Sequence, residues 1–271
     1  MENEIEKSER LNAIVDAVCY WLGYQFKIGR EQLIHEASLR YPIADTITAK
    51  GIGINRIVLE KLHPIFQSKK IDLVIFDETV KEPETEEDDK NLKEVYEFKL
   101  AKVETSKAFK EEHQRVLNDI LRLAYYHLWS NKECYFLMCG KYEDFRTYFV
   151  GQKSMIIDDG KKIKVPVRKI STIQSVTDQE QGWKPEGIYK DWFGFEIKEE
   201  KIVKFDDTNE DFGLKPFQKN YIANNTTEHA YSATFKVKIK CVAITPSGLE
   251  NIKTHAAGLW KIEAVKETKN E

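Results

Sequence analysis

The order in which apolar periodicities follow one another does more than any other feature to limit what this chain can fold into. Between residues 6 and 24, Leu11, Ile14, Val15, Val18, Trp21 and Leu22 recur at helical spacing and predict one amphipathic helix. The stretch REQLIHEASLRY continues with Leu33, Ile34, Ala37 and Leu39 in a second helical pattern that carries Glu36 in its middle and that Pro42 is expected to end. INRIVLEKLHPIF (54–66) fits strand or helix, with Pro64 ending either. IDLVIF (71–76) is short, continuous and rich in β-branched residues, as expected of a strand covered on both faces. An acidic, proline-containing stretch from Glu78 to Lys90 reads as an exposed loop, and EVYEFKL follows it as a second strand. A long helix is expected over 107–129, then a buried strand CYFLMCG ending at Gly140, with RTYFV as its neighbour. Helix, helix, strand, strand, helix, strand is the order of a mixed α/β layer, which excludes an all-β fold and a helical bundle.

After Gly151 the texture changes to lysines alternating with β-branched residues, in KKIKVPVRK, TFKVKIKCVAI and GLWKIEAVK, with turn signals DDG and TPSG close by. These predict β-hairpins, with a short helix somewhere in 206–223. The chain thus divides into an α/β core over 1–150 and a β-rich C-terminal region over 151–271, either a separate unit or an extension of the same sheet. The cysteines at 19, 134, 139 and 241 show neither a CxxC pair nor a framework spacing, so reduced thiols in a cytoplasmic setting are expected. The charged N-terminus MENEIEKSER and the lack of an apolar run of about 18 residues argue against a secretory leader and a membrane span. A formal net charge of −3 neither favours nor excludes a nucleic-acid partner, because a local basic face can coexist with a near-neutral total.

KEVYEFKLAK (93–102) sets Glu97 and Lys99 two residues apart in a strand, so both point to one face while Phe98 points to the other. Such a triplet is cheap in a sequence with 32 % charged residues, and it recurs at Glu196/Lys198, Glu199/Lys201 and Glu267/Lys269. Context separates the first. It lies in an apolar strand, an apolar strand bearing Asp72 precedes it, and a long helix follows.

Asp72 in KKIDLVIFD, then YEFK at 96–99 after a loop, then a helix, resembles the PD-(D/E)XK nuclease superfamily over roughly residues 30–140. Ile71 stands where that motif often has proline. The resemblance implies a restriction-endonuclease-like mixed sheet flanked by helices. It implies Asp72 and Glu97 as ligands of Mg²⁺ or Mn²⁺, with the Phe98 carbonyl as a further ligand, and Lys99 orienting or deprotonating a water. It also implies a glutamate from the preceding helix, for which Glu36 is the candidate and Glu60 the rival. A polar side chain on the following helix is sometimes used as well, and Gln114 or Arg115 could fill that place, although Arg115 pairs as readily with Glu111 or Asp119 at helical spacing.

The chemistry explains the residue types. Two converging carboxylates repel each other unless a proton or a cation lies between them, and hard oxygen donors suit Mg²⁺. An adjacent ammonium stabilises charge developing on a phosphoryl group. The implied activity is hydrolysis of phosphodiester bonds, endo or exo, in nucleic acid and in DNA first, with a restriction or defence setting as the family-level expectation. Double-strand cutting would suit a homodimer. The alternative is an inactive nuclease fold that binds nucleic acid or protein.

Other chemistries find less support. The histidines at 35, 63, 113, 127, 229 and 255 show neither HxH nor HExxH spacing, and GIGIN (51–55) lacks the residues of a phosphate-binding loop. Lys161, Lys162, Lys164, Arg168 and Lys169 gather positive charge that could track a phosphate backbone, and Lys236, Lys238 and Lys240 share a strand face. Lysines on an edge strand also block aggregation. Trp183, Trp192 and Trp260 are expected in packing roles.

Overall fold

The computed structural model describes residues 2–66, 68–80, 91–101, 106–142, 144–145, 152–156, 162–166, 192–205, 235–245 and 255–266. Side chains are described for these residues except 106–114, 152–156, 162–166, 204–205 and 266. Three α-helices, α1 (Glu4–Lys27), α2 (Arg40–Ala49) and α3 (Ser106–Ser130), accompany nine strands among these residues. The strands are β1 (Ile57–Leu62), β2 (Lys70–Phe76), β3 (Leu92–Ala101), β4 (Glu133–Lys141), β5 (Gln152–Ile156), β6 (Lys162–Pro166), β7 (Glu200–Phe205), β8 (Phe235–Thr245) and β9 (His255–Lys266). Among them no helix is long and apolar enough to cross a membrane.

Seven strands form one mixed sheet in the order β1-β2-β3-β4-β9-β8-β7, while β5 and β6 pair in a separate antiparallel hairpin. Only β3 and β4 run parallel. A parallel pair needs a long crossover, and α3 supplies it. The C-terminal strands continue the first sheet, because β9 lies against β4 with Cys134 opposite Ile262 and Leu137 opposite Leu259.

Helix α1 starts on a capping box: the Asn3 side chain accepts from the Ile5 and Glu6 amides at 3.0 and 2.9 Å, and Glu6 accepts from the Asn3 amide. Its buried Leu11, Ile14, Val15, Val18 and Leu22 pack with Tyr96, Phe98, Leu137 and Leu259 on one face of the sheet. On the other face Ile120, Leu121 and Ala124 of α3 pack with Val95, Phe136, Ile239 and Trp260. Trp192 and Trp260 are both buried, the latter donating its indole N–H to the Gly194 carbonyl at 2.8 Å. Trp183 lies outside the described residues.

Two local expectations change, for the helix read over 30–41 and for Glu36 within it, and one left open resolves. The segment read as one helix ending at Pro42 is two 3₁₀ turns, Glu31–Leu33 and Glu36–Leu39, followed by α2. Pro42 therefore lies in the first turn of a helix, where its missing N–H is not needed for an intrahelical bond. Glu36 consequently opens a short turn instead of sitting mid-helix. The ambiguous 54–66 segment resolves into a 3₁₀ turn over Ile54–Arg56 and strand β1, with Pro64 beyond the strand. The segment RTYFV and the short helix expected in 206–223 lie outside the described residues.

One feature had no forewarning in the periodicity. Arg10 is wholly buried, its guanidinium bonded to both Glu94 oxygens at 2.6 and 3.0 Å, to the Tyr96 hydroxyl at 3.0 Å and to Glu2 at 2.7 Å. It fastens α1 to the middle of β3 with every charge answered, which a buried ion requires.

Candidate active site

The antiparallel register of β2 and β3, with Leu73 opposite Tyr96, carries Asp72 to the position across from Glu97. At that point the Phe98 amide donates to Asp72 Oδ2 at 2.9 Å, so the carboxylate holds the two strands together where the ladder ends. Strand alternation then puts Glu97 and Lys99 on the α3 face and turns Phe98 into the core under α1. Both charged residues are buried, Glu97 at 2 % and Lys99 at 6 % exposure.

Each charge has a partner. Glu97 Oε1 accepts from Arg122 Nε at 3.0 Å and Nη2 at 2.9 Å. Asp119, three residues earlier on α3, pairs with Arg122 at 2.8 Å and stands 3.6 Å from Lys99 Nζ. From the 3₁₀ turn on the opposite side, Glu36 reaches Lys99 Nζ at 3.0 Å. Arg40, the first residue of α2, bonds Asp72 Oδ1 at 3.0 Å and Glu60 Oε1 at 2.7 Å. The structure thus brings Glu36, Asp72, Glu97 and Lys99 together from a turn and two strands, while Glu60 sits at the rim with Lys70 3.2 Å from its other oxygen.

Counting inward from that Glu60–Lys70 pair among the described residues, four carboxylates (Glu36, Asp72, Glu97, Asp119) face three cations (Arg40, Lys99, Arg122). The excess is one negative charge, and the electrostatics indicate where it is relieved. Burial pushes the Glu97 carboxyl well above the ordinary carboxylate range, Asp72 and Asp119 push it the same way, and Arg122 pulls against them. Its side chain meets that of Asp72 across the two strands, a contact between two acids that either a proton or a cation would relieve. Glu36 is also displaced upward, by desolvation opposed by Lys99, although 41 % of its side chain meets solvent and water screens it.

A further residue fixes α3 from behind. The His63 Nδ1 accepts from the Ile65 and Phe66 amides, both at 3.1 Å, which leaves the proton on Nε2 to be donated to the Arg122 carbonyl at 3.1 Å. Phe66 and Tyr126 contact the ring edge-on, with centroids 4.9 and 5.4 Å away. Burial lowers its pKa from 6.5 to about 3, so the ring is neutral.

Among the described residues no group of three or more His, Cys, Asp or Glu has the arrangement of a finished metal cage. The donors are of the right kind for Mg²⁺, which binds through one or two carboxylates and fills its remaining positions with water and substrate oxygens. Asp72 and Glu97, two carboxyl groups facing each other across β2 and β3, fit that requirement.

Sequence reasoning missed Arg40, Asp119 and Arg122. A signal existed for the latter two: from Val116 to Trp129 they are the only Asp, Glu, Lys or Arg residues in an otherwise apolar helix half, the same anomaly that marked Glu97. For the proposed substrate contacts, the Gln114 side chain is not described, Lys161, Arg168 and Lys169 lie outside the described residues, and Lys162 and Lys164 are placed only as backbone in β6. Lys236, Lys238 and Lys240 are on the sheet face opposite α3, since Val237, Ile239 and Cys241 between them join the α3-side core. There they alternate with acids, Lys238 lying 3.8 Å from Glu200 and Lys261 3.5 Å from Glu133, so this face is charge-compensated and turned away from the site.

Comparison with known proteins gives no match to a family model, to a curated protein or to a solved structure.

Proposed function

We propose that this chain is a metal-dependent nuclease with a restriction-endonuclease-like core, hydrolysing phosphodiester bonds in nucleic acid, DNA first. One observation carries the reading: Asp72 and Glu97 meet across neighbouring strands with Lys99 on the same face, and Glu36 and Asp119 converge on that lysine. The strand order supports it. Three antiparallel strands, a crossover helix and a fourth strand parallel to the third make a mixed sheet flanked by helices, the coarse architecture that the sequence resemblance implies.

Asp72, Glu97 and the Phe98 carbonyl would hold Mg²⁺ or Mn²⁺, which supplies Lewis-acid activation of a phosphoryl oxygen and of a nucleophilic water. The protein's own groups do the rest. Lys99, fixed by Glu36 and Asp119, presents an ammonium to the negative charge that develops on the phosphoryl group. Glu36, partly exposed at the mouth, holds Lys99 Nζ at 3.0 Å, and Lys99 is the group that would orient or deprotonate the attacking water. Arg122 clamps Glu97 to α3 and keeps its carboxyl aimed at Asp72. A restriction or defence role, a cytoplasmic location and a homodimer with paired sites for double-strand cutting accompany this proposal at the family level.

A second reading, a nuclease fold that binds without turnover, draws on the fact that every carboxylate of the cluster has a basic partner. One experiment separates the two. Purified protein should degrade DNA or RNA with Mg²⁺, stop with EDTA, and lose activity by a factor of about 10² or more in Lys99→Ala with an unchanged circular dichroism spectrum. Salt-sensitive binding without cleavage under all divalent ions tested would favour the silent scaffold.

A further inference from the structure

Arg40 stands between the inner acid of the site and its rim. Its Nη2 donates to Asp72 Oδ1 at 3.0 Å and its Nη1 to Glu60 Oε1 at 2.7 Å, while its buried Nε has no hydrogen-bond partner. The two anchors differ. Asp72 is 14 % exposed and also bound by the Phe98 amide, whereas Glu60 is 45 % exposed and shared with Lys70.

The outer anchor is held by an unusual backbone. Glu60 has φ of +56° within β1, between the pairs Leu59↔Leu73 and Lys61↔Ile71, so it lies across from Asp72. A residue other than glycine seldom adopts that left-handed conformation, which Ser68, Asn131 and Lys198 also show here, and where it does the surrounding structure enforces it. Here the twist lets the carboxylate of a strand residue reach Arg40 beside the site.

A guanidinium and a divalent cation compete for the same carboxylate, because either one neutralises it. Once a cation occupies Asp72, the inner bond of Arg40 loses its electrostatic reason and the outer one is a partly exposed, screened pair. What remains is a planar group whose Nη2 is freed beside the site and whose fork matches the geometry of phosphate oxygens.

Resting on the nuclease reading, we propose that Arg40 is the substrate-phosphate ligand of this site, neutralising Asp72 when no cation is bound and passing to a phosphodiester oxygen when one is. Glu60 is its positioning residue: it keeps the guanidinium at the rim through the exchange.

The test uses the full chain and two separate readouts. In calorimetric titration with Mn²⁺ and no nucleic acid, Arg40→Gln should bind the ion several-fold more tightly than the wild type, because the competing charge is gone. In a Lys99→Ala background with Ca²⁺ and a short DNA duplex, adding Arg40→Gln should weaken binding by about tenfold or more and flatten the salt dependence by about one phosphate contact. Arg40→Lys, tested in parallel, should restore the salt dependence but only part of the affinity, since a point charge cannot make the forked contact.

Weaker Mn²⁺ binding in Arg40→Gln would mean that the arginine orders Asp72 instead of competing for it, and would overturn the proposal. Unchanged DNA affinity and salt dependence would overturn the phosphate contact while leaving wild-type cleavage, and so the nuclease reading, intact. A wild type that neither binds nor cuts any nucleic acid, with Mn²⁺ affinity still rising in Arg40→Gln, would remove the nuclease reading and the phosphate contact together.

Discussion

His63 gives a prediction that is independent of the proposed activity. In the folded protein its ring is neutral, accepts two amide hydrogens at Nδ1 and donates from Nε2 to the Arg122 carbonyl. Protonation would put a positive charge in a buried site, face the Ile65 and Phe66 amides with a second N–H, and add to the charge of Arg122. Its pKa is accordingly depressed from 6.5 to about 3. For a base whose folded pKa is depressed, the unfolded chain binds the extra proton in the window between those values, so stability is present in full above 6.5 and falls as the pH drops toward 3. At about 1.4 kcal/mol per pH unit, the whole window corresponds to roughly 5 kcal/mol, a large share of a typical folding free energy. The assay is urea denaturation of the wild type and His63→Asn at intervals from pH 3.5 to 8. Asparagine keeps an acceptor near the two amides and cannot titrate. Near pH 8 the variant should be less stable by about 1–3 kcal/mol, from the lost bond to α3 and the smaller side chain. Its deficit should shrink by about 1.4 kcal/mol for each unit below 6.5 and reverse between about pH 4.4 and 5.8. A stability difference that stays constant across this range would refute the reasoning, since it would mean that His63 titrates in the folded state as it does in the unfolded chain.

The remaining predictions concern the charged interior. Arg10→Ala should cost about 3–5 kcal/mol in denaturant unfolding, because Glu94 is left buried without its counter-ion; a cost under about 1 kcal/mol would show that water or Lys93 replaces the guanidinium. Glu97→Gln should abolish Mg²⁺-dependent cleavage yet raise neutral-pH stability without added cation by about 1 kcal/mol or more, since Arg122 keeps Asp119 and the amide needs no proton. The sign follows from the raised carboxyl: between its unfolded pKa, about 4.5, and its higher folded value the native state binds the extra proton, so the wild type loses stability as pH rises and the gain in Glu97→Gln should diminish toward pH 4. Mg²⁺ at one hundred times its dissociation constant should stabilise the wild type by about 2.7 kcal/mol and leave the melting temperature of Asp72→Asn almost unmoved; equal shifts in both would locate binding elsewhere.

Legibility in the sequence followed the range of the interaction involved. Glu97 and Lys99 were readable as a same-face pair because strand alternation is a property of adjacent residues, and Asp72 was readable beside them because antiparallel strands joined by a loop usually pair. Pro42 misled because the same residue that breaks a helix interior is accepted in a first turn, and nothing local distinguished the two cases. The Lys236, Lys238 and Lys240 face was readable as a face, but not which side of the sheet it would occupy or that Glu200 and Glu263 would alternate with it.

The sequence by itself determined α1, β2, β3, α3 and β4, their order, and the anomaly of acids and bases inside apolar segments, since propensity and periodicity act over a few residues. Only the tertiary structure decided that Asp119 and Arg122 on α3 close over Glu97, that Arg40 guards Asp72, and that β9 slots against β4 more than a hundred residues away. Those contacts arise from how the crossover helix and the turn before α2 dock on the sheet, and docking is settled by the sum of many buried surfaces, which no short stretch of residues encodes.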